Sequence, residues 1–525
     1  MYPRFGGLSV KIALWATFPG QLEGRQGETS DFGRSLTLAE TRIWEIADPI
    51  VGSLLMEKFD FVVIGGGSAG YAAARLAARS GLKSVCIEGG KEVGGLCILG
   101  GCMPSKAIIE SANRFMTLRR AKEFGLSAGH LAFDSRAIIQ RKRDLAGGFL
   151  KYRTHQLNEG EFGFIRGRAE FTDSHHLKVR LLSGGEEEIE GKAFLISTGS
   201  VLNKVSLEGL DETGFLDSDK ALDSERFPRS VIVLGGGAIA LEFAHFYNGL
   251  GIEVTVLQRS NQVIKEADPD IAEALVAAFR KREIRVICDT KLTRVERTAT
   301  GKRVWYQRNG EEQAVEAEEI LYALGRKPAI EGLGLEKAGV ETNKKKALIV
   351  NSNLQTSQPH IFAAGDVTGL FEVVHIAVQQ GEVVARNAKK LLEGQALTPI
   401  DYRLQMFIMF PEPQIASVGM TEREAAEQGR EVRVARHPFN DHGKSIVRGE
   451  VEGFVKLIVD AKSGEILGGA VIGPEASELI QEITVAMHFH STAATLASIP
   501  HYHPTLSEIW TYPAEELAQV GARSR

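Results

Sequence analysis

The chain has 525 residues, of which 25% are charged and 43% apolar, and its formal net charge is −5. This length exceeds one hydrophobic core and predicts three or four domains. The balanced charge without a long basic run argues against nucleic acid as a partner, and no apolar run reaches the about 20 residues of a membrane span. Four cysteines are too few for a secreted disulfide scaffold and favour a reducing, cytoplasmic location.

Residues 1–55 show none of the patterning found in the rest of the chain. We expect them to form a poorly ordered N-terminal extension that is dispensable for folding. The patterned sequence begins at Met56.

Residues 59–88, FDFVVIGGGSAGYAAARLAARSGLKSVCIE, predict a strand, a glycine turn, a helix and a second strand. Gly65 permits the tight turn, Gly67 lets the backbone approach a pyrophosphate, and Gly70 allows the helix to pack closely on the strand. The helix N-terminus then offers its N–H groups to phosphate. Glu88 ends the second strand, where a carboxylate binds unphosphorylated ribose hydroxyls, and the unit is typical of a site for FAD.

Residues 230–258, SVIVLGGGAIALEFAHFYNGLGIEVTVLQ, repeat the same unit. The residues equivalent to the three glycines are Gly235, Gly237 and Ala240. Gln258 follows Gly235 by 23 residues, the same spacing as from Gly65 to Glu88, and Arg259 comes next. The missing carboxylate and the added cation favour a 2′-phosphate, so the second site suits NADP(H) at least as well as NAD(H).

Residues 94–106 read GGLCILGGCMPSK and hold Cys97 and Cys102. A structural disulfide, a zinc half-site and a redox pair are the alternatives for these thiols. Zinc needs four ligands or three with water, and no further Cys or His lies nearby in the sequence. Gly100 and Gly101 permit the bent backbone that a bridge across four residues needs, and a strained bridge is easily reduced. The sequence therefore favours a redox pair and predicts no metal site.

Taken together, these segments resemble the pyridine nucleotide-disulfide oxidoreductases, from about residue 57 to about residue 515. Further matching segments are STGS (197–200), ALGRKP (323–328), TSQPHIFAAGDV (356–367), FPEPQIASVG (410–419) and HPTLSE (503–508). The chain departs from the family at Leu96, where threonine is usual, and at Leu99, where asparagine is usual. Both changes remove polar side chains beside the expected flavin.

The resemblance implies a role for each group of the redox site. Cys97 is the expected interchange thiol and Cys102 the thiol next to the flavin. His503 is the expected base, because histidine titrates near neutral pH and only a thiolate attacks a disulfide, and Glu508 orients it. Further cofactor contacts are expected at Gly95, Lys106, Ala169, Thr198, Gly199, Glu242, Gly325, Asp366 and Val374.

The resemblance also implies an α/β architecture with two Rossmann-like dinucleotide-binding domains and a C-terminal α+β dimerisation domain. The expected order is FAD domain (56–205), NAD(P) domain (206–326), FAD domain again (327–398) and dimerisation domain (399–525). In this family the His–Glu pair serves the disulfide of the other subunit. We therefore expect a homodimer whose monomer is inactive.

The expected activity is electron transfer between NAD(P)(H), FAD, the Cys97–Cys102 disulfide and a small dithiol or disulfide. The PSK and HPTLSE segments most resemble the dihydrolipoyl dehydrogenase branch, with lipoamide as substrate. One alternative is an NADPH-dependent reductase of another small disulfide, as in glutathione reductase; another is a mercuric-reductase-like enzyme, although the C-terminal tail lacks a cysteine pair. A non-enzymatic alternative is a structural subunit of a 2-oxo acid dehydrogenase complex, and association with such a complex is left open.

Overall fold

The computed structural model describes residues 56–519. The predicted N-terminal extension, residues 1–55, lies outside the described residues. The first part of the described chain forms the elements β1 (Glu57–Ile64), α1 (Ser68–Arg79), β2 (Ser84–Glu88), α2 (Gly95–Leu99), α3 (Cys102–Arg119), α4 (Ser135–Asn158), β3 (Gly163–Phe171), β4 (His176–Leu181), β5 (Glu186–Ile196) and β6 (Ser200–Leu202).

A parallel sheet in the order β3-β2-β1-β5 forms the centre of this part, and β4 joins β3 and β5 as an antiparallel meander. Phe61, Val62 and Val63 of β1 are fully buried. A strand buried on both faces requires a continuous apolar run, which explains the FVVI sequence rather than an alternating one.

The second part of the chain forms α5 (Leu210–Thr213), α6 (Ser218–Asp223), β7 (Ser230–Leu234), α7 (Ala238–Gly249), β8 (Glu253–Leu257), α8 (Pro269–Lys281), β9 (Arg285–Ile287), β10 (Lys291–Arg297), β11 (Lys302–Arg308), β12 (Glu311–Ala317), β13 (Glu319–Tyr322) and β14 (Arg326–Pro328). A parallel sheet in the order β13-β7-β8-β9 carries α7, and β10-β11-β12 form a separate antiparallel sheet. This is a second βαβ nucleotide-binding arrangement.

The chain then returns to the first sheet through α9 (Leu335–Ala338), β15 (Ile361–Ala363) and α10 (Val374–Leu392). Strand β15 pairs in parallel with β5, and β14 pairs in antiparallel with β6. Helix α10 packs on α1, where a Cβ added at Gly381 would lie 2.2 Å from the carbonyl oxygen of Ala69. This close approach requires glycine in α10 and fixes the return segment against the first nucleotide-binding unit.

The C-terminal part forms β16 (Met406–Met409), β17 (Gln414–Gly419), α11 (Glu422–Glu427), β18 (Val432–Pro438), α12 (Gly443–Arg448), β19 (Phe454–Asp460), β20 (Ile466–Gly473), α13 (Ala476–His488), α14 (Ala493–Ala497) and α15 (Thr511–Leu517). Its antiparallel sheet has the order β16-β17-β20-β19-β18. Trp510 is fully buried in this core, and its indole N–H donates to the Leu479 carbonyl at 3.0 Å.

A buried lysine joins the second nucleotide-binding part to the C-terminal sheet. Lys456 of β19 is fully buried, and its Nζ lies 2.7 Å from Asp268, 2.8 Å from Asp270 and 2.9 Å from Glu422. These three carboxylates are close enough to share one cation, and the ammonium takes that position. Because removing one partner would leave an unpaired buried charge, the cluster fixes the contact between these two parts.

The predicted fold class is confirmed: two Rossmann-like units precede an antiparallel α+β domain. Within residues 56–519, none of the helices combines the length and the apolar character that crossing a membrane requires.

Candidate active site

At the first glycine turn, the backbone of residues 65–70 lies directly against the backbone of neighbouring segments, with no side chain between them. Gly65 adopts a φ of 104°, and a Cβ there would lie 2.5 Å from the Ser197 carbonyl oxygen. A Cβ at Gly70 would lie 1.8 Å from the Gly65 carbonyl oxygen, and one at Gly95 would lie 2.8 Å from the Cα of Gly67. The N-terminus of α1 therefore faces a cleft lined by backbone, which fits a pyrophosphate.

Glu88 is held by this turn. Its carboxylate accepts the Gly66 N–H at 2.8 Å through Oε2 and the Gly90 N–H at 2.6 Å through Oε1. The carboxylate is half-buried at the end of β2. This fixed position fits the ribose-binding role predicted from the sequence.

A polar network lies where the FAD ribityl chain was predicted to bind. Asp366 accepts a hydrogen bond from the Ser200 hydroxyl at 2.7 Å. Arg326 donates to that same hydroxyl at 2.8 Å and to the Ser200 carbonyl at 2.7 Å. The Thr198 hydroxyl donates to the Ala329 carbonyl at 2.6 Å. The network joins the return segment to the first sheet and orients the Asp366 carboxylate.

The remaining residues predicted to contact the cofactor differ in which of their atoms are accessible. Gly199 and Gly325 have positive φ values of 73° and 103°, and a Cβ at either would meet nothing within 4 Å, so the backbone there is open. Val374 is half-buried at the start of α10. Ala169 is buried in β3 and pairs with Val179, so only its backbone is left for a cofactor.

The two thiols lie next to each other at the junction of α2 and α3. Cys97 and Cys102 are free, half-buried and hydrogen-bonded to one another. The hydrogen bond from Cys97 and, after it, the Lys106 charge lower the pKa of Cys102 to about 7, although burial opposes them. The hydrogen bond to Cys102, reinforced by burial, raises the pKa of Cys97. These opposite shifts favour the thiolate at Cys102 and the protonated thiol at Cys97.

Of the two glycines between the thiols, Gly101 is required by neighbouring backbone. A Cβ at Gly101 would lie 2.8 Å from the Leu96 carbonyl oxygen and 3.2 Å from the Cα of Cys97. A Cβ at Gly100 would lie 2.5 Å from the Asp219 carboxylate of α6, an exposed side chain that can move aside. The close approach of the backbone next to Cys97 therefore depends on Gly101.

Lys106 lies one helical turn after Cys102 on the same face of α3. Its ammonium contacts both carboxylate oxygens of Glu242 in α7, at 2.9 and 2.8 Å, and lies 4.7 Å from the centre of the Phe410 ring. Glu242 is buried and also accepts the Phe410 N–H at 3.1 Å. The pair links the redox helix directly to the second nucleotide-binding unit.

The second glycine turn repeats the first with more space. Gly235 has a φ of 116°, and a Cβ there would lie 2.4 Å from the Ala323 carbonyl oxygen. Gly237 faces open space, since an added Cβ would meet nothing within 4 Å. Ala240 occupies the third position and is buried against the sheet. The N-terminus of α7 is therefore accessible to phosphate in the same way as that of α1.

The ribose edge of the second site has no carboxylate at the end of β8. Gln258 donates to the Gln262 carbonyl at 3.1 Å and accepts the Arg259 N–H at 3.2 Å. The Arg259 side chain is exposed and forms no ion pair within residues 56–519. Lys265 pairs with Glu266 at 3.4 Å, so its charge is partly compensated.

The predicted base, His503, and its carboxylate partner, Glu508, lie on the C-terminal segment before α15. The His503 Nδ1 lies 3.0 and 3.2 Å from the Glu508 carboxylate oxygens. The His503 side chain is 77% exposed, whereas that of Glu508 is 10% exposed. Across residues 56–519, no hydrogen bond or ion pair joins this pair to Cys97 or Cys102. The structure therefore forms the His–Glu pair and the thiol pair separately.

Sequence reasoning missed side chains that come from distant segments. They are Ser200 and Arg326 beside Asp366, Asp219 beside Gly100, Phe410 beside Lys106, and His442, whose Nε2 lies 3.4 Å from Glu508. Ser200 and Arg326 fall in segments already matched to the family, which was a usable signal. Phe410 likewise begins a matched segment (410–419), whereas Asp219 and His442 carry no local pattern.

Comparison with known proteins agrees with this geometry. The model of the family described as pyridine nucleotide-disulphide oxidoreductase matches residues 59–381, and that of its dimerisation domain matches residues 407–514. The chain belongs to the pyridine nucleotide-disulphide oxidoreductase family.

Individual relatives cover nearly the whole patterned sequence. The dihydrolipoyl dehydrogenase of Mycobacterium tuberculosis H37Rv is 35% identical over 454 residues, 86% of this chain and 97% of that protein. The enzyme of the same name from Chlorobaculum tepidum is 35% identical over 457 residues, 86% of this chain and 96% of its own.

Solved structures share the fold. LpdA from Mycobacterium tuberculosis has a TM-score of 0.79 and 30% identity, covering 88% of this chain and 100% of its own. The Cu(II) complex of the HOCl-induced flavoprotein disulfide reductase RclA from Escherichia coli has a TM-score of 0.76 and 28% identity. The match covers 88% of this chain and 100% of the RclA chain. The predicted class, an FAD- and pyridine-nucleotide-dependent oxidoreductase acting on sulfur, is confirmed.

Proposed function

We propose that the protein is a dihydrolipoyl dehydrogenase, which oxidises the dithiol of dihydrolipoamide and passes two electrons to a pyridine nucleotide. The observation that carries the proposal is the asymmetry of the thiol pair. Cys102 has a pKa lowered to about 7 beside Lys106, whereas the pKa of Cys97 is raised. One sulfur is therefore suited to face the flavin as a thiolate, and the other to exchange with substrate. The names of the curated relatives support the choice of dithiol.

The residues that would hold FAD are those of the first glycine turn, Glu88 and the Asp366 network. When bound, FAD supplies the two-electron exchange between the thiol pair and the pyridine nucleotide. The Lys106–Glu242 pair keeps a positive charge beside Cys102 and ties it to the helix that begins the second site. The hydrogen bond from Cys97 is the main cause of the lowered pKa of Cys102; the Lys106 charge lowers it too, and the Glu242 charge opposes this.

The thiol exchange is assigned to Cys97 and His503. With the enzyme disulfide formed, His503 takes the proton from one substrate thiol, and that sulfur attacks Cys97 and breaks the Cys97–Cys102 bond. Cys102 leaves as a thiolate. The second substrate sulfur then attacks the first, forming lipoamide and displacing Cys97. Cys97 takes the proton held by His503, and His503 takes the proton of the second substrate thiol. Because Glu508 binds Nδ1, the other ring nitrogen of His503 is free to carry that proton.

The active enzyme is proposed to be a homodimer in which His503 serves the thiols of the other subunit. The match to the family's dimerisation domain supports the dimer. The 77% exposure of the His503 side chain supports its action on a second chain. We also propose that the enzyme is cytoplasmic and that it associates with a 2-oxo acid dehydrogenase complex. Co-sedimentation with an acyltransferase core is the test of that association.

A second candidate is an NADPH-dependent reductase of another small disulfide. The observation that favours it is the ribose edge of the second site, where Gln258 replaces a carboxylate and Arg259 has an uncompensated charge. The structural likeness to RclA, a flavoprotein disulfide reductase by name, is compatible with this alternative.

The deciding experiment is anaerobic reduction of the purified flavoprotein by NADH, NADPH and dihydrolipoamide in turn, followed by absorbance. The proposal expects complete two-electron reduction by dihydrolipoamide, and turnover with lipoamide far faster than with glutathione disulfide or mercuric ion. Cys97→Ser is the matched control, because it should lose reduction by dihydrolipoamide while still accepting electrons from the pyridine nucleotide. Turnover with glutathione disulfide and none with lipoamide would overturn the proposal. An enzyme inactive with every substrate would support the structural-subunit alternative.

A further inference from the structure

Glu508 contacts a histidine on each side. Its Oε2 lies 3.0 Å from the Nδ1 of the exposed His503, and its Oε1 lies 3.4 Å from the Nε2 of His442. His442 begins α12 and is fully buried. Its Nδ1 lies 2.8 Å from the Ser445 hydroxyl. A buried imidazole therefore lies behind the carboxylate that holds the proposed base.

The position of the His442 ring is fixed by packing. The ring meets Phe439 edge-on at 6.4 Å and Tyr512 edge-on at 6.3 Å. Tyr512 is itself stacked on His437 with ring centres 3.8 Å apart. Full burial and these two contacts restrict the motion of the His442 ring.

The protonation state of His442 follows from its surroundings. Burial lowers its pKa below the usual histidine range, although the Glu508 charge opposes that shift. The ring is therefore neutral near pH 7. Because Nε2 faces the Glu508 carboxylate, we assign the single ring proton to Nε2, so that Nδ1 accepts from the Ser445 hydroxyl. The titratable groups around the ring are Glu508, His437 and Tyr512, with His503 beyond the carboxylate.

We propose that His442 is a positioning residue for the His503–Glu508 pair. Its neutral Nε2–H lies 3.4 Å from Oε1 of Glu508, without full hydrogen-bond geometry but close enough to attract that oxygen, so that Oε2 stays directed at His503. A neutral donor fixes the carboxylate without adding a positive charge, which would weaken the attraction between Glu508 and protonated His503. The inference rests on the proposed role of His503 as the proton acceptor for thiols.

The test compares His442→Leu with His442→Gln, because the glutamine amide places an N–H near the position of Nε2. His442→Leu should lower kcat for dihydrolipoamide oxidation about tenfold, as expected for loss of a polar contact with a charged group, with little change in KM. The acidic limb of its pH profile should move to lower pH, because a loosened carboxylate stabilises protonated His503 less. His442→Gln should recover most of both effects.

Two further measurements separate positioning from general damage. Reduction of ferricyanide by NADH or NADPH needs the flavin but not the base, so it should be unchanged in both variants, as should bound FAD. Alkylation of the reduced enzyme by iodoacetamide reports the Cys97–His503 interaction without any lipoyl substrate, and its pH profile should shift in His442→Leu alone. If wild-type enzyme fails to oxidise dihydrolipoamide but this shift is present, the substrate assignment falls and the inference stands. Equal kinetics and equal alkylation profiles in wild type and His442→Leu, or equal losses in both variants, would overturn it.

Discussion

The two βαβ units have the same spacing from turn to ribose edge, yet their helices approach their strands differently. At Gly70 an added Cβ would lie 1.8 Å from the Gly65 carbonyl oxygen. At the equivalent position the second unit carries Ala240, whose Cβ lies 3.8 Å from a Cβ placed on Gly235. The third position of the glycine turn thus accommodates a methyl group in the second unit and excludes it in the first, because α1 lies closer to its turn than α7 does.

The two ribose edges also differ in polarity. Glu88 only accepts hydrogen bonds and is held by two backbone N–H groups, whereas Gln258 both donates and accepts. An anionic edge favours ribose hydroxyls, and a neutral edge beside Arg259 leaves room for a phosphate. We infer that the shared fold positions a nucleotide in each unit, and that the side chain at the end of the second strand sets which ribose each unit accepts.

The largest effect should come from giving the first unit the residue of the second. Gly70→Ala puts a methyl group into the Gly65 backbone and forces α1 away from β1. We expect loss of bound FAD on purification, loss of all turnover, and a destabilisation of about 1–3 kcal/mol. The ratio of flavin to protein absorbance measures the loss of FAD, and the free energy of unfolding measures the destabilisation. Full FAD content in this variant would contradict the tight packing described here.

The next effect tests the thiol loop, which follows the first unit and has no counterpart after the second. Cys102→Ser should abolish the long-wavelength absorbance of a thiolate beside flavin in the two-electron-reduced enzyme, and turnover with it. Cys97→Ser should retain that absorbance. Because the pKa of Cys102 is lowered to about 7, the thiolate forms as pH rises, so the band should grow between about pH 6 and 8. A band that persisted in Cys102→Ser would reverse the assignment of the two thiols.

A smaller effect is expected at the second ribose edge. If Arg259 pairs with a 2′-phosphate, Arg259→Met should lower the kcat/KM ratio for NADPH over NADH about ten- to a hundredfold, the value of one charge-assisted hydrogen bond. Gln258→Glu should lower the same ratio by adding repulsion. Lys265→Met is the matched control and should change it less, since Glu266 already compensates that charge. An unchanged ratio in Arg259→Met would show that the enzyme reads NAD(H) without this side chain.

The smallest effect is the reciprocal exchange, Ala240→Gly. It removes a methyl group that the second unit accommodates and should cost about 1 kcal/mol of helix stability. FAD content should be unchanged, and KM for the pyridine nucleotide should change by less than about twofold for so small a loss. Thermal unfolding and steady-state kinetics are the measurements. Loss of nucleotide binding as severe as the loss of FAD in Gly70→Ala would show that the two turns do not differ as described.

The sequence by itself was enough to predict both nucleotide-binding turns, the thiol pair and the fold class. The turns and the thiol pair are local: the glycines, the helix and the acid or amide lie within one continuous βαβ segment, and Cys97 and Cys102 lie within residues 94–106. The fold class followed from the family resemblance of segments spread from about residue 57 to about residue 515. The contact roles predicted for single residues of the sites stay predictions, and at Ala169 burial of the side chain limits any contact to the backbone.

Only the tertiary structure decided which distant side chains meet. Asp219 reaches Gly100, Glu242 pairs with Lys106, Lys456 gathers three carboxylates, and His442 lies behind Glu508. Each contact joins segments far apart in the chain, and the side chains involved have no spacing of their own that a helix or strand period would reveal. They meet because separate sheets and helices pack their apolar faces together, and that packing sets the burial and charge that tune the thiols and the base.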